Sequence, residues 1–342
     1  MNIRENVNLS EITTMRLGGP AEFVIDIETP EEALEATEFA EGKGLPIYFL
    51  GTGANSIGLD SGYPGVILRN KIKGFETLEE TKDEIEIKVG GGEIWDDFVE
   101  FVSQKGFSGV EAMSKIPGSV AAAPVQNIGA YGQDVSGTLE TVEALDTLLG
   151  EFVEIPASEM DFSYRHSIFN SGETKGRYFI LTCTFRLKKG NLTPPFYNSL
   201  QAYLDEHKIT DYSPMNIREA VSDIRANKLP DPKEIASAGS FFKNFVLSDE
   251  EADAAEKRGI QVYRTPSENK INTGWLLEHA GLKGKVFHGF KISEKAALIL
   301  INESGTSEAD LEKAVSEISN IVEEKFGFKL EMEPEKIKEN YD

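Results

Sequence analysis

The segment 116–132 constrains this chain more than any other stretch, and it reads Ile-Pro-Gly-Ser-Val-Ala-Ala-Ala-Pro-Val-Gln-Asn-Ile-Gly-Ala-Tyr-Gly. Most of its residues are small or carry uncharged amides, two are prolines, and none is charged. A solvated loop carries charges and an amphipathic helix repeats its apolar residues near every 3.6 positions. Small side chains let a backbone approach a flat ligand and bind it through N–H and C=O groups. For this segment alone, a tightly packed glycine-rich turn is the alternative.

Composition restricts the classes of protein to which the chain can belong. With 342 residues, two or three domains are expected. The contents of 40% hydrophobic and 27% charged residues are typical of a soluble globular protein. The net charge of −23 argues against sequence-independent binding of nucleic acid, and it requires that any anionic ligand be met by local Lys or Arg.

Cysteine, histidine and hydropathy patterns indicate a metal-free cytoplasmic protein. The single cysteine, Cys183, excludes an intrachain disulfide, fits a reducing compartment, and lies in an alternating pattern typical of a core strand. The histidines show no metal-ligand spacing. Residues 1–10 lack a signal-peptide core, and no stretch approaches the length of a membrane span. We therefore expect neither a membrane nor a nucleic-acid partner.

A glycine-rich turn after a short strand is the first candidate binding element. Thr29-Pro30-Glu31 predicts a helix start, and that helix should end near Gly42. The apolar residues 46–50 then predict a strand running into Gly51-Thr52-Gly53-Ala54-Asn55-Ser56. Such a turn commonly presents backbone amides to phosphate, although glycine-rich turns without phosphate are more common.

Further periodicities predict an α+β chain with a boundary near residue 215. Strands are expected at 66–68, 84–89, 141–147, 151–155, 178–187 and 296–301. Helices are expected around 95–102, 197–207, 214–226 and 272–279, and after Ser307. In that last helix the apolar residues form a stripe suited to packing on a sheet, namely Leu311, Val315, Ile318 and Val322.

Three further segments carry candidate chemistry. In 162–169, Arg165 stands among aromatic residues and could hold a carboxylate with two parallel hydrogen bonds, or form a surface salt bridge. In 238–244, Ser240 lacks the Gly-x-Ser-x-Gly elbow of an acyl-transfer nucleophile, so it is either a proton donor or a capping hydroxyl. The acidic segment 331–335 taken alone would be a solvated tail.

Together these segments resemble the MurB family, the UDP-N-acetylenolpyruvoylglucosamine reductases of peptidoglycan precursor synthesis. The resemblance extends from 13–19 to 334–335, with the motifs in the family's order: 51–56, 116–132, 164–165, 228–230, 239–244 and the terminal Pro-Glu. Several motifs in one order are more specific than any single pattern. A tyrosine-bearing insertion around 195–197 resembles the type I branch.

The resemblance implies an α+β protein with a two-subdomain FAD-binding fold (PCMH/VAO-like), followed by a smaller α+β substrate-binding domain. The implied divisions are FAD-binding subdomain 1 at 1–72 with the tail 335–342, subdomain 2 at 73–214, and the C-terminal domain at 215–334. The implied cofactor is FAD, with NADPH as co-substrate. The implied reaction reduces UDP-N-acetylglucosamine enolpyruvate to UDP-N-acetylmuramate, and we expect a monomer.

The resemblance also implies which residues bind the cofactor and substrate. The cofactor-binding residues would be Gly51, Thr52, Gly53, Ala54, Asn55, Ser56, Ile116, Pro117, Gly118, Ser119, Ala122, Gln126, Asn127, Gly129, Ala130, Tyr131 and Gly132. The substrate-binding residues would be Tyr164, Tyr197, Arg225, Lys228 and Asn244.

The implied catalytic residues are Arg165, Ser240 and Glu335. Hydride addition to the substrate's vinyl carbon leaves an enolate, and a fixed cation such as Arg165 would stabilise it. Glu335, if protonated in an apolar cleft, could donate a hydrogen bond to the same group. Ser240 would deliver the proton, which requires a strongly basic enolate and fixed geometry because serine is a weak acid.

Two other functions are compatible with the same residues. The first is a different FAD-dependent oxidoreductase on the same fold, such as an oxidase of small hydroxylated substrates. The second is a non-catalytic sugar-nucleotide binder derived from the reductase. Fold alone does not separate them, because function resides in sites.

Overall fold

The computed structural model describes residues 1–265 and 268–339, and its first unit is a mixed sheet with the strand order β1–β2–β5–β3. In chain order its elements are β1 (Asn2–Asn8), α1 (Leu9–Ile12), β2 (Pro20–Ile27), α2 (Pro30–Lys43), β3 (Ile47–Phe49), β4 (Ser56–Gly58) and β5 (Tyr63–Asn70). β2 and β3 both run parallel to β5, so their carboxyl ends lie at one edge of the sheet. The glycine-rich turn follows β3 at that edge.

Local signals explain the limits of α2. The Thr29 hydroxyl accepts a hydrogen bond from the Glu32 amide, and Pro30 occupies the first turn. The helix ends at Gly44, whose φ of +66° lies in the left-handed region that glycine adopts without strain. The sequence-predicted helix is therefore confirmed, with its end close to the predicted residue.

The second unit is an antiparallel sheet in the order β12–β11–β13–β7–β6, with β8 also paired to β13. Its elements are β6 (Phe75–Glu80), β7 (Glu84–Gly90), α3 (Trp95–Gln104), β8 (Phe107–Ser108), β9 (Gly129–Ala130), β10 (Gln133–Asp134), β11 (Leu139–Asp146), β12 (Glu151–Pro156) and β13 (Tyr178–Lys189). Helix α3 buries Trp95, Phe98 and Val102 against this sheet, where Cys183 is fully buried. The prediction of Cys183 as a core residue is confirmed.

Two helices, α4 (Asn198–Glu206) and α5 (Pro214–Lys228), pack against each other, and α5 also packs on α3. The expected domain boundary at 214/215 falls at the start of α5. However, α5 contacts α3 and the turn Glu111–Met113, and its Arg218 is paired with carboxylates of α3. On packing grounds α5 belongs with the second unit.

The C-terminal unit contains two small antiparallel sheets covered by a long helix. Its elements are β14 (Ser237–Ser240), β15 (Phe245–Leu247), α6 (Asp249–Lys257), β16 (Tyr263–Arg264), β17 (Asn269–Ile271), α7 (Thr273–His279), β18 (Val286–Phe287), β19 (Phe290–Ile292), β20 (Ile299–Asn302) and α8 (Glu308–Phe326). The stripe on α8 is buried at Leu311, Ile318 and Val322, as predicted. β20 starts later than the predicted strand, because the Ile299 amide donates to the Ala296 carbonyl in a turn.

After α8 the chain returns to the first unit. Strand β21 (Glu335–Ile337) pairs in parallel with β4, and Ile337 is fully buried in the cluster that contains Leu50 and Ile67. This closure places the acidic segment 331–335 beside the glycine-rich turn. Within the described residues, no helix is long and apolar enough to cross a bilayer.

Asp96 on α3 should couple stability to acid pH. Its oxygens lie 2.6 Å and 3.1 Å from the two terminal nitrogens of Arg218, whose side chain is only 4% exposed. Burial alone would raise the pKa of Asp96, but hydrogen bonds from Arg218 and Lys115 outweigh it and lower the pKa from 3.8 to about 2. Because the folded pKa is depressed, this stabilisation is complete above about pH 4 and is lost as the pH falls toward 2.

We therefore expect Asp96→Asn to lower the free energy of unfolding by about 3 kcal/mol at pH 7, since it leaves Arg218 without one of its carboxylates. The difference from the unsubstituted protein should shrink as the pH falls below 4. Urea unfolding between pH 7 and pH 3 measures both effects. Asp97→Asn, at the exposed neighbouring position, is the matched control and should change stability by less than about 0.5 kcal/mol. Equal losses in the two variants would contradict this account.

Candidate functional site

A deep cleft lies between the first and second units. Its empty volume, with the open mouth included, is about 1260 Å³. The first unit contributes 48–56, the run 116–126 forms much of the opposite wall, and the loop before β13 closes one end with Phe169, Lys175 and Tyr178. The cleft is therefore built from the two glycine-rich segments that the sequence singled out.

The turn 51–56 forms a concave surface, here called the glycine cradle, that a side chain at Gly51 or Gly53 would fill. A Cβ added at Gly51 would lie 3.0 Å from the Ser119 hydroxyl, and one at Gly53 would lie 2.2 Å from the Ile12 carbonyl oxygen. Gly53 also has a φ of +73°, which disfavours any side chain. The amides of Thr52, Gly53, Ala54 and Asn55 donate to no described residue, so they are available to an anion.

Ser119 gives a second indication of a polar ligand. Its hydroxyl lines the cleft and is buried, and it has no hydrogen-bond partner among the described residues. A buried polar group without a partner costs about 1–3 kcal/mol, so a ligand that supplies the partner is favoured. The free amides, the glycine cradle and this hydroxyl fit the phosphates and polar groups of FAD.

Part of the predicted cofactor-binding run lies elsewhere. Asn127, Gly129, Ala130, Tyr131 and Gly132 do not line the cleft. Asn127 has a φ of +43° and its side chain donates to the Ser163 carbonyl at 3.3 Å, while the next residue, Ile128, still lines the cleft. Gly129 and Ala130 then form the short hairpin β9–β10. The cofactor-binding assignment of these five residues stays a prediction.

Arg165 and Glu333 form an ion pair that joins positions 168 residues apart. The Arg165 Nε donates to Glu333 Oε1 at 2.8 Å, and the two side chains are 19% and 8% exposed. Arg165 has a φ of +56° in a tight turn, where Ser163 and His166 exchange backbone hydrogen bonds. Strained backbone of this kind is concentrated at functional sites. Burial raises the pKa of Glu333, while Arg165 and Lys243 oppose that shift.

Glu335 does not reach Arg165. Its carboxylate pairs with Lys175 at 3.3 Å and lines the cleft. The reason is a change of partner strand: the Glu333 amide donates to the Phe241 carbonyl, whereas the Glu335 amide donates to the Asn55 carbonyl. Glu333, and not Glu335, therefore contacts the Arg165 guanidinium, and the assignment of Glu335 as the catalytic carboxyl stays a prediction.

Ser240 is connected to the Arg165–Glu333 ion pair through the backbone of its neighbour, Phe241. It is the last residue of β14, and the following residue, Phe241, accepts the hydrogen bond from the Glu333 amide at 2.9 Å. The half-buried Ser240 hydroxyl forms no hydrogen bond with a described residue. It is thus available to a ligand.

Asn55 connects the ion pair to the cleft. Its side-chain nitrogen donates to the Glu333 carbonyl at 3.3 Å and to the Gln126 side chain at 3.2 Å. Gln126 and Asn55 both line the cleft. The carboxyl group and the cofactor cradle are therefore held in one hydrogen-bonded assembly.

Tyr164 and Asn244 lie on the same side as Arg165. Burial raises the pKa of Tyr164, Arg165 opposes the shift, and Asn244 is hydrogen-bonded to its hydroxyl. The Tyr164 ring stacks under two cations, with Lys270 Nζ 3.9 Å and Arg165 Cζ 5.2 Å from its centroid. Asn244 is fixed by the Thr273 amide, which donates to it at 3.0 Å.

A second cavity, of about 810 Å³, lies beside Tyr131 and Tyr197, whose rings meet edge to face. Arg225 reaches this side from α5, donates to the Lys115 carbonyl at 3.2 Å, and is hydrogen-bonded to Tyr131. Burial lowers the pKa of Arg225, and its Nε has no partner among the described residues. Lys228, one turn further along α5, is exposed. The five predicted substrate residues thus fall into two groups.

Sequence reasoning missed Glu333 and Lys175. Glu333 lies in the same acidic segment as Glu331 and Glu335, and periodicity does not distinguish these residues. Only the tertiary pairing does, because the Glu333 amide donates to Phe241 and the Glu335 amide donates to Asn55. Lys175 stands in a polar loop with no motif around it, and its contact with Glu335 depends on the pairing of β21 with β4.

Comparison with known proteins agrees with the family resemblance found in the sequence, over nearly the whole chain. Residues 231–337 match the model of the UDP-N-acetylenolpyruvoylglucosamine reductase C-terminal domain, and residues 21–154 match an FAD binding domain. The UDP-N-acetylenolpyruvoylglucosamine reductase of Bdellovibrio bacteriovorus is 38% identical, over 98% of this chain and 99% of that protein. That of Alcanivorax borkumensis is 34% identical, over 96% and 95%. The crystal structure of the Thermus caldophilus reductase superimposes with a TM-score of 0.67, at 24% identity, over 98% of this chain and 99% of that one.

Proposed function

Because this chain belongs to the UDP-N-acetylenolpyruvoylglucosamine reductase family of FAD-dependent oxidoreductases in peptidoglycan synthesis, we propose that it reduces UDP-N-acetylglucosamine enolpyruvate to UDP-N-acetylmuramate with NADPH. The observation that carries this proposal is the buried Arg165–Glu333 pair, held beside Ser240 and tied to the cofactor cradle by Asn55. A reaction that uses NADPH and a UDP-sugar places the protein in the cytoplasm, and we expect it to act as a monomer.

Arg165 binds the carboxylate of the substrate and stabilises the negative charge that develops on it. Its backbone is held by the Ser163–His166 turn and by Asn170, whose side chain donates to the Arg165 carbonyl at 3.0 Å. A fixed guanidinium in a site of low dielectric stabilises developing charge without reorganisation. Bound FAD, once reduced by NADPH, would supply the hydride for the vinyl carbon.

Glu333 acts as the acidic partner of Arg165. Its carboxyl is buried, and burial raises its pKa against the effect of Arg165. A substrate carboxylate that takes over Arg165 weakens the charge that keeps Glu333 ionised. Glu333 then holds a proton and donates a hydrogen bond to the enolate oxygen.

Ser240 delivers the proton to the carbon next to the carboxylate. Its hydroxyl is free of hydrogen bonds with described residues, and its backbone is one residue from the contact between Phe241 and Glu333. Serine is a weak acid, so this step depends on a strongly basic acceptor held in place.

The two groups of predicted substrate residues would contact different portions of the substrate. Tyr164 and Asn244 lie near Arg165 and suit the sugar and pyruvyl portion. Arg225, Tyr197 and Lys228 suit the diphosphate, since Arg225 has an unpartnered Nε in a protein whose net charge is −23. Arg225 and Lys228 would thus supply positive charge near the diphosphate, which the negative charge of the whole protein repels.

The proposed activity is tested directly with the purified protein. We expect a yellow protein that oxidises NADPH at 340 nm only when UDP-N-acetylglucosamine enolpyruvate is added. NADPH oxidation that needs oxygen and ignores this substrate would instead favour another flavin oxidoreductase. A colourless protein that binds UDP-sugars would favour a non-catalytic binder.

Glu333→Gln should lower kcat by about 10²–10⁴-fold, because it removes the acidic partner of Arg165 from the reacting group. Glu335→Gln should retain at least tenfold more activity than Glu333→Gln, since its carboxyl lies against Lys175. Steady-state kinetics at saturating FAD separates the two, with Glu324→Gln on the exposed face of α8 as the control. A larger loss in Glu335→Gln would restore Glu335 as the catalytic carboxyl.

Ser240→Ala should separate the two halves of the reaction. NADPH should still bleach the flavin without oxygen, but substrate turnover should fall by at least about 10²-fold. Stopped-flow absorbance at 450 nm measures the first half and product formation measures the second. Ser316→Ala, at an exposed site on α8, should behave as the unsubstituted protein. Turnover that survives in Ser240→Ala would remove the serine from the mechanism.

A further inference from the structure

Glu111 is a fully buried carboxylate that the proposed mechanism does not use. A carboxylate is rarely buried unless it is paired, because its transfer from water is costly. Burial raises the pKa of Glu111, and hydrogen bonds from its surroundings oppose that shift. Since it forms no ion pair with a described residue, these hydrogen bonds hold it, and they identify what it positions.

The Glu111 carboxylate joins its own turn to the hairpin β9–β10. Its Oε2 accepts from the Gly109 amide at 2.6 Å and from the Val110 amide at 3.1 Å. Its Oε1 accepts from the side-chain nitrogen of Gln133 at 2.5 Å. The side-chain oxygen of Gln133 accepts in turn from the Ala112 amide at 2.8 Å. These two side chains thus connect the segments at two points, here called the Glu111–Gln133 clamp.

The clamp fixes the hairpin to a well-supported turn. The turn Glu111–Met113 packs against α5, and the Trp95 indole donates to the Met113 carbonyl at 3.1 Å. The hairpin itself pairs only two residues with two, and Tyr131 in its loop has a φ of +48°. A left-handed backbone at a tyrosine is strained and persists only where the surroundings hold it.

Tyr131 connects this hairpin to Arg225. Its ring meets Tyr197 edge to face, with the centroids 5.9 Å apart, and Arg225 of α5 is hydrogen-bonded to it. Tyr131 and Gln133 both line the second cavity. Because the clamped turn also packs against α5, the clamp determines where Tyr131 lies relative to Arg225.

We propose that Glu111 and Gln133 are positioning residues for substrate binding, whose clamp holds Tyr131 where Arg225 can bind the diphosphate of a UDP-sugar. Neither residue lines the cofactor cleft. The clamp therefore acts on the affinity for the UDP-sugar and not on FAD binding or the chemical step. An interaction of this kind changes KM and leaves kcat unchanged. The inference rests on the proposed function for the identity of the ligand.

The test exchanges the two side chains in the full-length holoenzyme. Gln133→Glu places two carboxylates together, and Glu111→Gln leaves an amide group facing donors on both sides. Each single variant should raise the KM for the enolpyruvyl substrate about fivefold or more. The Kd for UDP-N-acetylmuramate, measured by calorimetry, should rise equally, while kcat and the Kd for FAD stay within about twofold.

The double variant Glu111→Gln/Gln133→Glu should restore both KM and Kd to within about twofold, since coupled residues are not additive. The new amide oxygen accepts from Gly109 and Val110, and its N–H donates to the new carboxylate, which accepts from Ala112. Gln133→Asn is a milder single variant that keeps the charge and should raise the same Kd.

Gln104→Glu is the matched control. Gln104 also donates to a carboxylate, that of Glu100 at 3.1 Å, but at an exposed site on α3. Two carboxylates in water should change neither KM nor Kd there. Melting temperatures of all variants separate a loss of stability from a loss of affinity.

Two results would overturn the inference alone. The first is an unchanged Kd for UDP-N-acetylmuramate in the single variants and in Gln133→Asn. The second is a double variant that regains its melting temperature but not its affinity. An unsubstituted protein that binds FAD but no UDP-sugar would overturn the proposed function together with this inference.

Discussion

The ion pair between Arg165 and Glu333 is the contact on which the rest of the site depends. It holds a guanidinium from the second unit against a carboxyl from the C-terminal segment, with both side chains largely withdrawn from water. Separating such a pair by removing one partner costs several kcal/mol, so the two units are held in one arrangement. Asn55 then fixes the same segment to the first unit, through the Glu333 carbonyl and the Gln126 side chain. Three parts of the chain thus meet at one residue, Glu333.

The cleft beside this pair is built mostly from backbone and small side chains. Gly51 and Gly53 leave room that any Cβ would occupy, and Ser119 directs a buried hydroxyl into that room. The amides of 52–55 are left free for the same reason, since the chain there forms a turn and not a ladder. Binding a dinucleotide in this way needs few charges, which agrees with a lining that contains one lysine and one glutamate.

Much of this architecture could be predicted from the sequence. Helix α2 and the stripe on α8 follow from capping and periodicity, and the glycine-rich segments 51–56 and 116–126 do line the cleft. The failures occur where partners lie far apart in the chain. Glu333 and Glu335 are equivalent by composition, but they donate to carbonyls of different units, and only the tertiary pairing distinguishes them. Asn127, which has a left-handed backbone, does not line the cleft although its neighbours Gln126 and Ile128 do.

The parallel pairing of β4 with β21 has a consequence for how the molecule is assembled. The two strands come from opposite ends of the polypeptide, so their contact has a very high sequence separation. The entropy of closing so long a loop must be paid before the pairing gives any return, which makes such contacts late events along a folding pathway. A chain that has not closed this pair has neither Glu335 beside the turn nor Glu333 beside Arg165. The Arg165–Glu333 ion pair therefore forms only after these two distant segments of the chain have met.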